Sequence, residues 1–294
     1  MISINLKGSP ADTASSPFYD YQRDAIYAGD DKGIFHKIVN AFGVSGTTPT
    51  EVVTGHWPIT VDGGTKLTPR LGIPCQAIFL SRIRAEILSY ILETFSTAGT
   101  CGSGSLPCLG STTVNIFAVH GVTDAPMVDS SAEKVFGFYG ANNAGAASVL
   151  QSDVTLSASV SATPGSGTGH HIHAGAFDNT YLTGNRSTGS LYICGSSSNS
   201  TPTIQRIGFT NSGGPSSNPA GTMKSAVDAA TLAVATGSAE CAPVTEFFNP
   251  NAPTATQDQI FFGVQTLGSG TSLWRIGCER LRDVYQPDGH SEQP

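Results

Sequence analysis

The chain has 294 residues and a mass of 30.4 kDa, enough for one large domain or two ordinary ones with a buried core. Charged residues make up 13% of it, about half of the roughly 25% typical of soluble domains, and 34 glycines with 17 prolines favour a turn-rich fold over a helical one. The 15 basic and 22 acidic side chains give a formal charge of -7, which excludes a broad basic surface for nucleic acid.

Signals for membranes and export are missing from the sequence as written. No stretch reaches the ~18 to 20 apolar residues that a membrane span needs. Residues 1–10 lack the charged start and apolar core of a signal peptide. We therefore predict no membrane span, and a cytoplasmic location for the chain as written.

The first predicted element is a β-hairpin within the segment FYDYQRDAIYAGDDKGIFHKI. One strand covers Ala25 to Gly29 and the next covers Ile34 to Ile38. Between them lie residues that form tight turns, namely Asp30, Asp31, Lys32 and Gly33.

The same pattern of polar turn, aromatic strand and Gly/Asn turn returns along the chain, in VDSSAEKVFGFYGANNAG, NRSTGSLYICGSSSNSTPTIQRIGF and FFNPNAPTATQDQIFFGVQ. The repeated aromatic positions are Tyr27, Phe79, Phe136, Tyr192 and Phe261. Their separations of 52, 57, 56 and 69 residues suit four-stranded propeller blades with loops, although an irregular β-sandwich uses similar strands and turns. We predict a mainly β fold, with about five units of a partial β-propeller-like repeat of four-stranded blades in one incomplete domain over residues 1–271.

The second unit departs from this pattern. Arginine and glutamate replace the Asp, Ser and Gly of its sister units, at Arg70, Arg82, Arg84 and Glu86. Its apolar residues recur at helical spacing, at Ile78, Phe79, Ile83, Ile87, Ile91 and Leu92. We therefore predict one inserted amphipathic helix near residues 76–93.

The tail over residues 272–294 is likewise rich in arginine and poor in glycine, and we predict that it is aberrant and disordered. Permitted codons read in neighbouring frames give VGDSVSGNIFVADSGGNL in place of the second unit and CGASGANGCVMYTN in place of the tail. Both readings restore the repeat. We therefore hypothesise a frameshift in each segment, which makes the chain a fragment of a damaged gene, and the nucleotide sequence tests this.

Several segments resemble a group of large, uncharacterised, exported bacterial proteins of β-propeller type. They are SPFYDYQRDAIYAGDDKGIFHK, LETFSTAGTCGSGSLPCLGSTTV, the stretch from HHIHAGAFDNTYLTGN to LYICG, AECAPVTEFFNPN and QIFFGV, and they cover most of residues 15–270. The resemblance implies a propeller fold and an extracellular or cell-surface location for the parent family. It implies no activity, because the family has none assigned.

Four cysteines lie outside the two aberrant segments. In an exported protein we expect Cys101 to pair with Cys108 across the turn GSGSLP, and Cys194 to pair with Cys241 if neighbouring strands bring them together. Other pairings, or four reduced thiols in a cytosolic product, remain open.

The densest polar segment is GTGHHIHAGAFDN. In a strand, His171 and His173 project to the same face, so they are candidate metal ligands together with Asp178. The alternative is a set of polar loop residues. Asp30 and Asp31 suggest a calcium turn, but they are equally explained as turn formers, and the spacing of an EF-hand loop is absent.

No catalytic or cofactor-binding motif appears in its required context, so we predict no cofactor and no catalytic residues. We predict a non-catalytic binding or structural module of an exported protein that uses loops at one end of the blades to bind an unknown protein or glycan. Open sheet edges also predict self-association. The alternatives are a propeller-type oxidoreductase or hydrolase with a ligand in a central channel, and a fragment without a function of its own.

Overall fold

The fold was analysed in a computed structural model of the chain. The structure describes residues 4–7, 17–43, 47–61, 67, 71–73, 78–83, 87–92, 106–110, 114–115, 124–140, 147–165, 172–183, 186–196, 201–210, 221–228, 231–233, 241–253, 257–268 and 271–280. The fold is mainly β, as predicted, and its strands form antiparallel sheets that follow one another along the chain.

The first sheet has the order β1-β2-β3-β4, with β5 pairing to β3. Its strands are β1 (Phe18–Asp20), β2 (Ala25–Gly29), β3 (Ile34–Val39), β4 (Thr50–Glu51) and β5 (Ile59–Thr60). The predicted hairpin is therefore confirmed, with its second strand one residue longer than expected. Gly33 closes the turn at a φ of 78°, a conformation that favours glycine.

The second sheet contains β6 (Leu71–Ile73), β7 (Ile78–Ile83), β8 (Ile87–Leu92), β9 (Cys108–Leu109) and β10 (Val114–Asn115). The predicted helix near residues 76–93 is wrong, because this segment forms the β7–β8 hairpin, in which Phe79 lies opposite Ile91 and Ile83 opposite Ile87. Its apolar residues fall into two runs rich in isoleucine, and periodicity alone does not distinguish such short runs from a helix.

The third sheet has the order β11-β12-β13-β14. Its strands are β11 (Met127–Asp129), β12 (Lys134–Tyr139), β13 (Ser148–Asp153) and β14 (Ser159–Ala162). Here too, antiparallel neighbours follow the order of the chain.

The fourth sheet has the order β15-β16-β17-β18, with β19 pairing to β17. Its elements are β15 (Ala176–Phe177), the short helix α1 (Asn179–Thr183), β16 (Ser190–Ser196), β17 (Pro202–Thr210), β18 (Thr222–Met223) and β19 (Thr231–Ala233).

The fifth sheet consists of β20 (Thr245–Phe248), β21 (Asp258–Gly268) and β22 (Thr271–Arg280). The prediction of a disordered tail is wrong for its first residues, because β22 pairs with β21 over ten positions. A long neighbouring strand supplies the backbone partners that stabilise this segment despite its unusual composition. Residues 281–294 lie outside the described part of the chain.

The aromatic repeat has a common position in the structure. Each of the five aromatic residues lies on the second strand of its sheet, directly opposite a residue of the first strand in the backbone register. The pairs are Phe18–Tyr27, Gly72–Phe79, Met127–Phe136, Ala176–Tyr192 and Thr245–Phe261. A repeat found in the sequence therefore corresponds to a repeated antiparallel unit. Four antiparallel strands in chain order are the arrangement of a propeller blade.

A polar side chain at the end of the first strand accepts a backbone hydrogen bond in four of the sheets. Asp20 accepts from Gln22 N–H at 2.9 Å and Asp129 from Ser131 N–H at 3.0 Å. Asp178 accepts from Tyr181 N–H at 2.8 Å, and Asn249 from Asn251 N–H at 3.0 Å. These turns are stabilised by carboxylate or amide oxygens. In the second sheet, the residue after β6 is Pro74.

The chain divides into two compact units. The first unit contains the first two sheets, with a core around Tyr27, Phe35 and Trp57 that includes Ile91 of β8. The second unit contains the fourth and fifth sheets, which share a core that includes Tyr192, Ile204, Ile260 and Phe262. The strands of the third sheet are divided between the units. The expectation of one domain over residues 1–271 stays a prediction.

Candidate functional site

Three aromatic side chains form an exposed surface at one end of the first sheet. Tyr19 lies near the end of β1, Tyr21 lies in the β1–β2 turn, and Phe42 follows β3. The ring of Tyr19 makes edge contacts with both neighbours, at centroid distances of 4.4 Å to Tyr21 and 4.9 Å to Phe42. Tyr21 is 85% exposed and Phe42 is 74% exposed. We call these three residues the aromatic surface.

Asp24 holds the aromatic surface together from the β1–β2 turn. Its Oδ1 atom accepts the hydroxyl of Tyr19 at 2.9 Å and the backbone N–H of Phe42 at 2.9 Å. Desolvation and the hydrogen bond to Asp24 raise the pKa of the Tyr19 phenol above its ordinary value, so the phenol remains a donor. The carboxylate therefore ties the β1–β2 turn to the segment that follows β3.

A second polar group, the His36 network, is buried in the same unit. His36 is 1% exposed, and its Nδ1 lies 2.7 Å from Glu51 Oε1 while its Nε2 lies 3.4 Å from Asp30 Oδ2. Asp30 also accepts the backbone N–H groups of Lys32 and Ile34, at 2.9 and 2.7 Å. Because a carboxylate faces each ring nitrogen, this histidine is suited to joining the β2–β3 turn to β4.

Three carboxyl groups, the carboxyl cluster, meet in the second unit: Asp178 after β15, Glu246 on β20 and Asp258 at the start of β21. The backbone N–H of Asn179 donates to Asp258 Oδ2 at 3.3 Å. Burial, together with the neighbouring Asp258 and Asp178, raises the pKa of Glu246 to about 8. Burial and the charge of Asp258 also raise the pKa of Asp178, against hydrogen bonds from Tyr181 and Ser190.

Tyr192 and Arg206 lie beside the carboxyl cluster. Burial and the charge of Asp178 raise the pKa of Tyr192 to about 12, although Arg206 acts in the opposite direction. Arg206 Nε donates to Asp228 Oδ2, and Lys224 Nζ lies 3.9 Å from the other oxygen of that carboxylate. Arg206, the cation that interacts with Tyr192, is therefore paired with Asp228.

The predicted disulfide between Cys194 and Cys241 is present, with a Cα–Cα distance of 6.0 Å. It joins β16 of the fourth sheet to the residues before β20 of the fifth. Cys108 is also disulfide-bonded. Its expected partner Cys101 lies outside the described residues, so that pairing stays a prediction.

The metal-ligand candidates are not brought together in the part of the chain that the structure describes. Within that part, no group of three or more His, Cys, Asp or Glu side chains is arranged to hold a metal ion. Asp178 joins the carboxyl cluster instead. His173 lies within the described part of the chain but belongs to no such metal-binding group there, and His171 lies outside the described residues. Asp30 serves as a turn former and as a partner of His36, which accounts for its position without calcium.

The sequence did not predict the aromatic surface or the carboxyl cluster. A signal for the first was present, since FYDYQRD has one tyrosine beside a polar turn and a second within it, where core packing does not require both. The carboxyl cluster combines residues from three separate segments, and no local pattern connects them.

Comparisons with known proteins give little further information. No family model and no curated protein matches the chain. A search of solved structures found similarity to a chain from the crystal structure of the mitotic checkpoint complex, with 9% sequence identity and a TM-score of 0.41. The match covers 88% of this chain and 62% of that chain. No helix in the described ranges has the length and apolar character of a membrane span.

Proposed function

We propose that the chain is a non-catalytic binding module of an exported protein, and that its sheets are blades of a partial propeller. Its ligand is a protein that docks on the aromatic surface. The observation that carries this proposal is the exposure of Tyr21 and Phe42, both of which contact the ring of Tyr19. Adjacent exposed aromatic rings mark interaction sites on soluble proteins.

The chemistry of this surface favours a protein ligand. Tyrosine and arginine are enriched at the energetic centres of protein interfaces, and Arg23 lies in the same turn, bound to Asp20 at 2.6 Å. The hydrogen bonds of Asp24 fix the surface before any ligand arrives, which reduces the entropy lost on binding. Loops held by a rigid sheet are a common place for recognition.

Two observations support the rest of the proposal. A disulfide is typical of oxidising compartments, so the Cys194–Cys241 bond supports export. Recognition is favoured over an enzyme because His36 is buried between two carboxylates that it joins, with no open surface in the described part of the chain for a substrate to reach it.

We also propose that the second unit retains the fold of the repeat but is read from an altered frame. Four sheets place an aspartate or asparagine after or at the end of the first strand, whereas β6 is followed by Pro74. The neighbouring-frame reading supplies such an aspartate. Sequencing the gene across codons 65–95 and 268–294 tests this, and codons incompatible with the restored readings would contradict it.

The binding proposal is tested with a phage-displayed peptide library panned on the full oxidised chain. We expect the selected peptides to lose at least about tenfold in affinity, or about 1.4 kcal/mol, for the double variant Tyr21→Ser/Phe42→Ser. The exposed rings carry little of the folding free energy, so the thermal midpoint of this variant should stay close to that of the wild type.

A matched control removes two exposed apolar side chains elsewhere, in Leu182→Ser/Phe247→Ser, where the residues are 58% and 55% exposed. This variant should keep the affinity of the wild type. Peptides that bind the Tyr21/Phe42 variant as well as the wild type would contradict the proposal. Binding on a glycan array that depends on the same two residues would show that the ligand is a glycan and not a protein.

A further inference from the structure

The carboxyl cluster lies where the fourth and fifth sheets meet within the second unit. Glu246 on β20 is opposite Ile260 on β21, so Asp258, two residues earlier on β21, lies diagonally across from it on the same face. The hydrogen bond from Asn179 N–H to Asp258 and the position of Asp178 bring the end of β15 to the same place. Two sheets thus contribute three carboxyl groups.

Asp178 keeps a backbone hydrogen bond, whereas one oxygen of each of the other two groups has no hydrogen bond within the described ranges to compensate for its burial. Asp178 is 7% exposed. Among the described residues, Glu246 Oε1 and Asp258 Oδ1 are buried without a hydrogen-bond partner. Two neighbouring carboxylates in such a place do not both ionise readily, whereas one shared proton turns a repulsive pair into a hydrogen bond.

We propose that a proton held by Glu246 and shared with Asp258 lets these two carboxyl groups of the fifth sheet pack beside Asp178 of the fourth, and that the junction between the two sheets loosens when this proton is lost. The junction also contains the Cys194–Cys241 disulfide and a hydrogen bond from Val244 N–H to Ala174 O at 2.9 Å. Neither of these titrates near neutral pH, whereas the carboxyl group of Glu246 does.

The direction of the pH effect follows from proton binding. Glu246 has a folded-state pKa of about 8, above its ordinary value of 4.5. Between these values the closed junction holds a proton that the open form releases, so closure becomes less favourable as pH rises and levels off above about pH 8. The raised pKa of Asp178 acts in the same direction.

The other groups facing the pair keep their charge over this range. Tyr192 on β16, with a pKa of about 12, remains neutral. Arg206 on β17 remains positively charged, because its hydrogen bond and charge interaction with Asp228 outweigh desolvation and raise its pKa. Glu246, beside Asp258 and Asp178, therefore accounts for the expected change.

Amide hydrogen exchange on the full, oxidised chain tests the lock. In the wild type we expect protection of the β20 amides, corrected for intrinsic exchange rates, to fall by up to about tenfold per pH unit between about pH 5 and about pH 8 and to level off above that. The Glu246→Gln variant should lose most of this dependence, because its amide donates to Asp258 at every pH. The control Glu133→Gln removes an exposed carboxylate from another sheet and should keep the wild-type profile.

An unchanged pH slope in Glu246→Gln would overturn the proposal. If that variant does not fold, wild-type β20 is compared with β2 of the first sheet, and equal pH profiles for the two strands would overturn it. Millimolar calcium chloride is added at about pH 9 as a further arm. Restored protection there would identify a cation site in place of a proton lock, whereas unchanged protection supports the shared proton.

Discussion

Replacing Cys194 and Cys241 together by alanine is expected to lower the free energy of unfolding by about 4 kcal/mol. The bond joins residues 47 positions apart and links the fourth sheet to the fifth, so it restricts the unfolded chain over a long loop. Alanine is the suitable replacement because both cysteines are buried, and serine would add an unsatisfied hydroxyl. Urea denaturation of the oxidised wild type and the double variant measures the difference.

Cys75→Ala is the control for this experiment, because Cys75 lies outside both predicted pairs and its loss leaves the Cys194–Cys241 bond intact. A double variant that loses less than about 1 kcal/mol would show that this bond contributes little to stability.

Replacing His36 by leucine is expected to cost about 3 kcal/mol or more. The substitution removes the partner that lies 2.7 Å from Glu51 and 3.4 Å from Asp30, and it leaves two buried carboxylates facing an apolar side chain. Asp30 keeps its hydrogen bonds from the turn, but Glu51 loses its closest side-chain partner. Chemical denaturation at neutral pH measures the loss.

His56→Leu makes the same chemical change at an exposed position of the first unit. We expect it to alter stability by less than about 0.5 kcal/mol. Equal effects of the two substitutions would contradict the role assigned to the His36 network in joining the β2–β3 turn to β4.

The sequence predicted best where local chemistry determines local structure. In the hairpin around Asp30, the aspartate accepts backbone N–H groups and Gly33 adopts a positive φ. Both residues lie within four positions of each other, so the turn can be predicted from the local sequence. The aromatic repeat was also readable from the sequence, because an aromatic residue recurs on the second strand of every sheet.

The β7–β8 segment shows why the remainder was harder. Its two apolar runs satisfy helical spacing as well as strand pairing, and the decision depends on neighbouring strands far along the chain, such as β10. The apolar pattern could therefore be read from the sequence, but whether it forms a helix or a β-hairpin could not.

The candidate site was predicted only in part. The Cys194–Cys241 bond was expected for an exported protein, on the condition that neighbouring strands bring the two cysteines together. The aromatic surface needs Phe42 to return beside Tyr19 and Tyr21 through the β2–β3 hairpin, and the hydrogen bonds of Asp24 that fix it are tertiary. The carboxyl cluster likewise depends on the meeting of two sheets.

We infer that every sheet is a copy of one antiparallel unit, with its aromatic residue on the second strand. Nuclear Overhauser contacts in the isotope-labelled full chain test it most directly at the second unit. The repeat predicts cross-strand backbone contacts between Gly72 and Phe79 and between Phe79 and Ile91, like those between Phe18 and Tyr27 in the first sheet. Contacts between residues three apart throughout residues 76–93 would instead show a helix there and contradict the repeat.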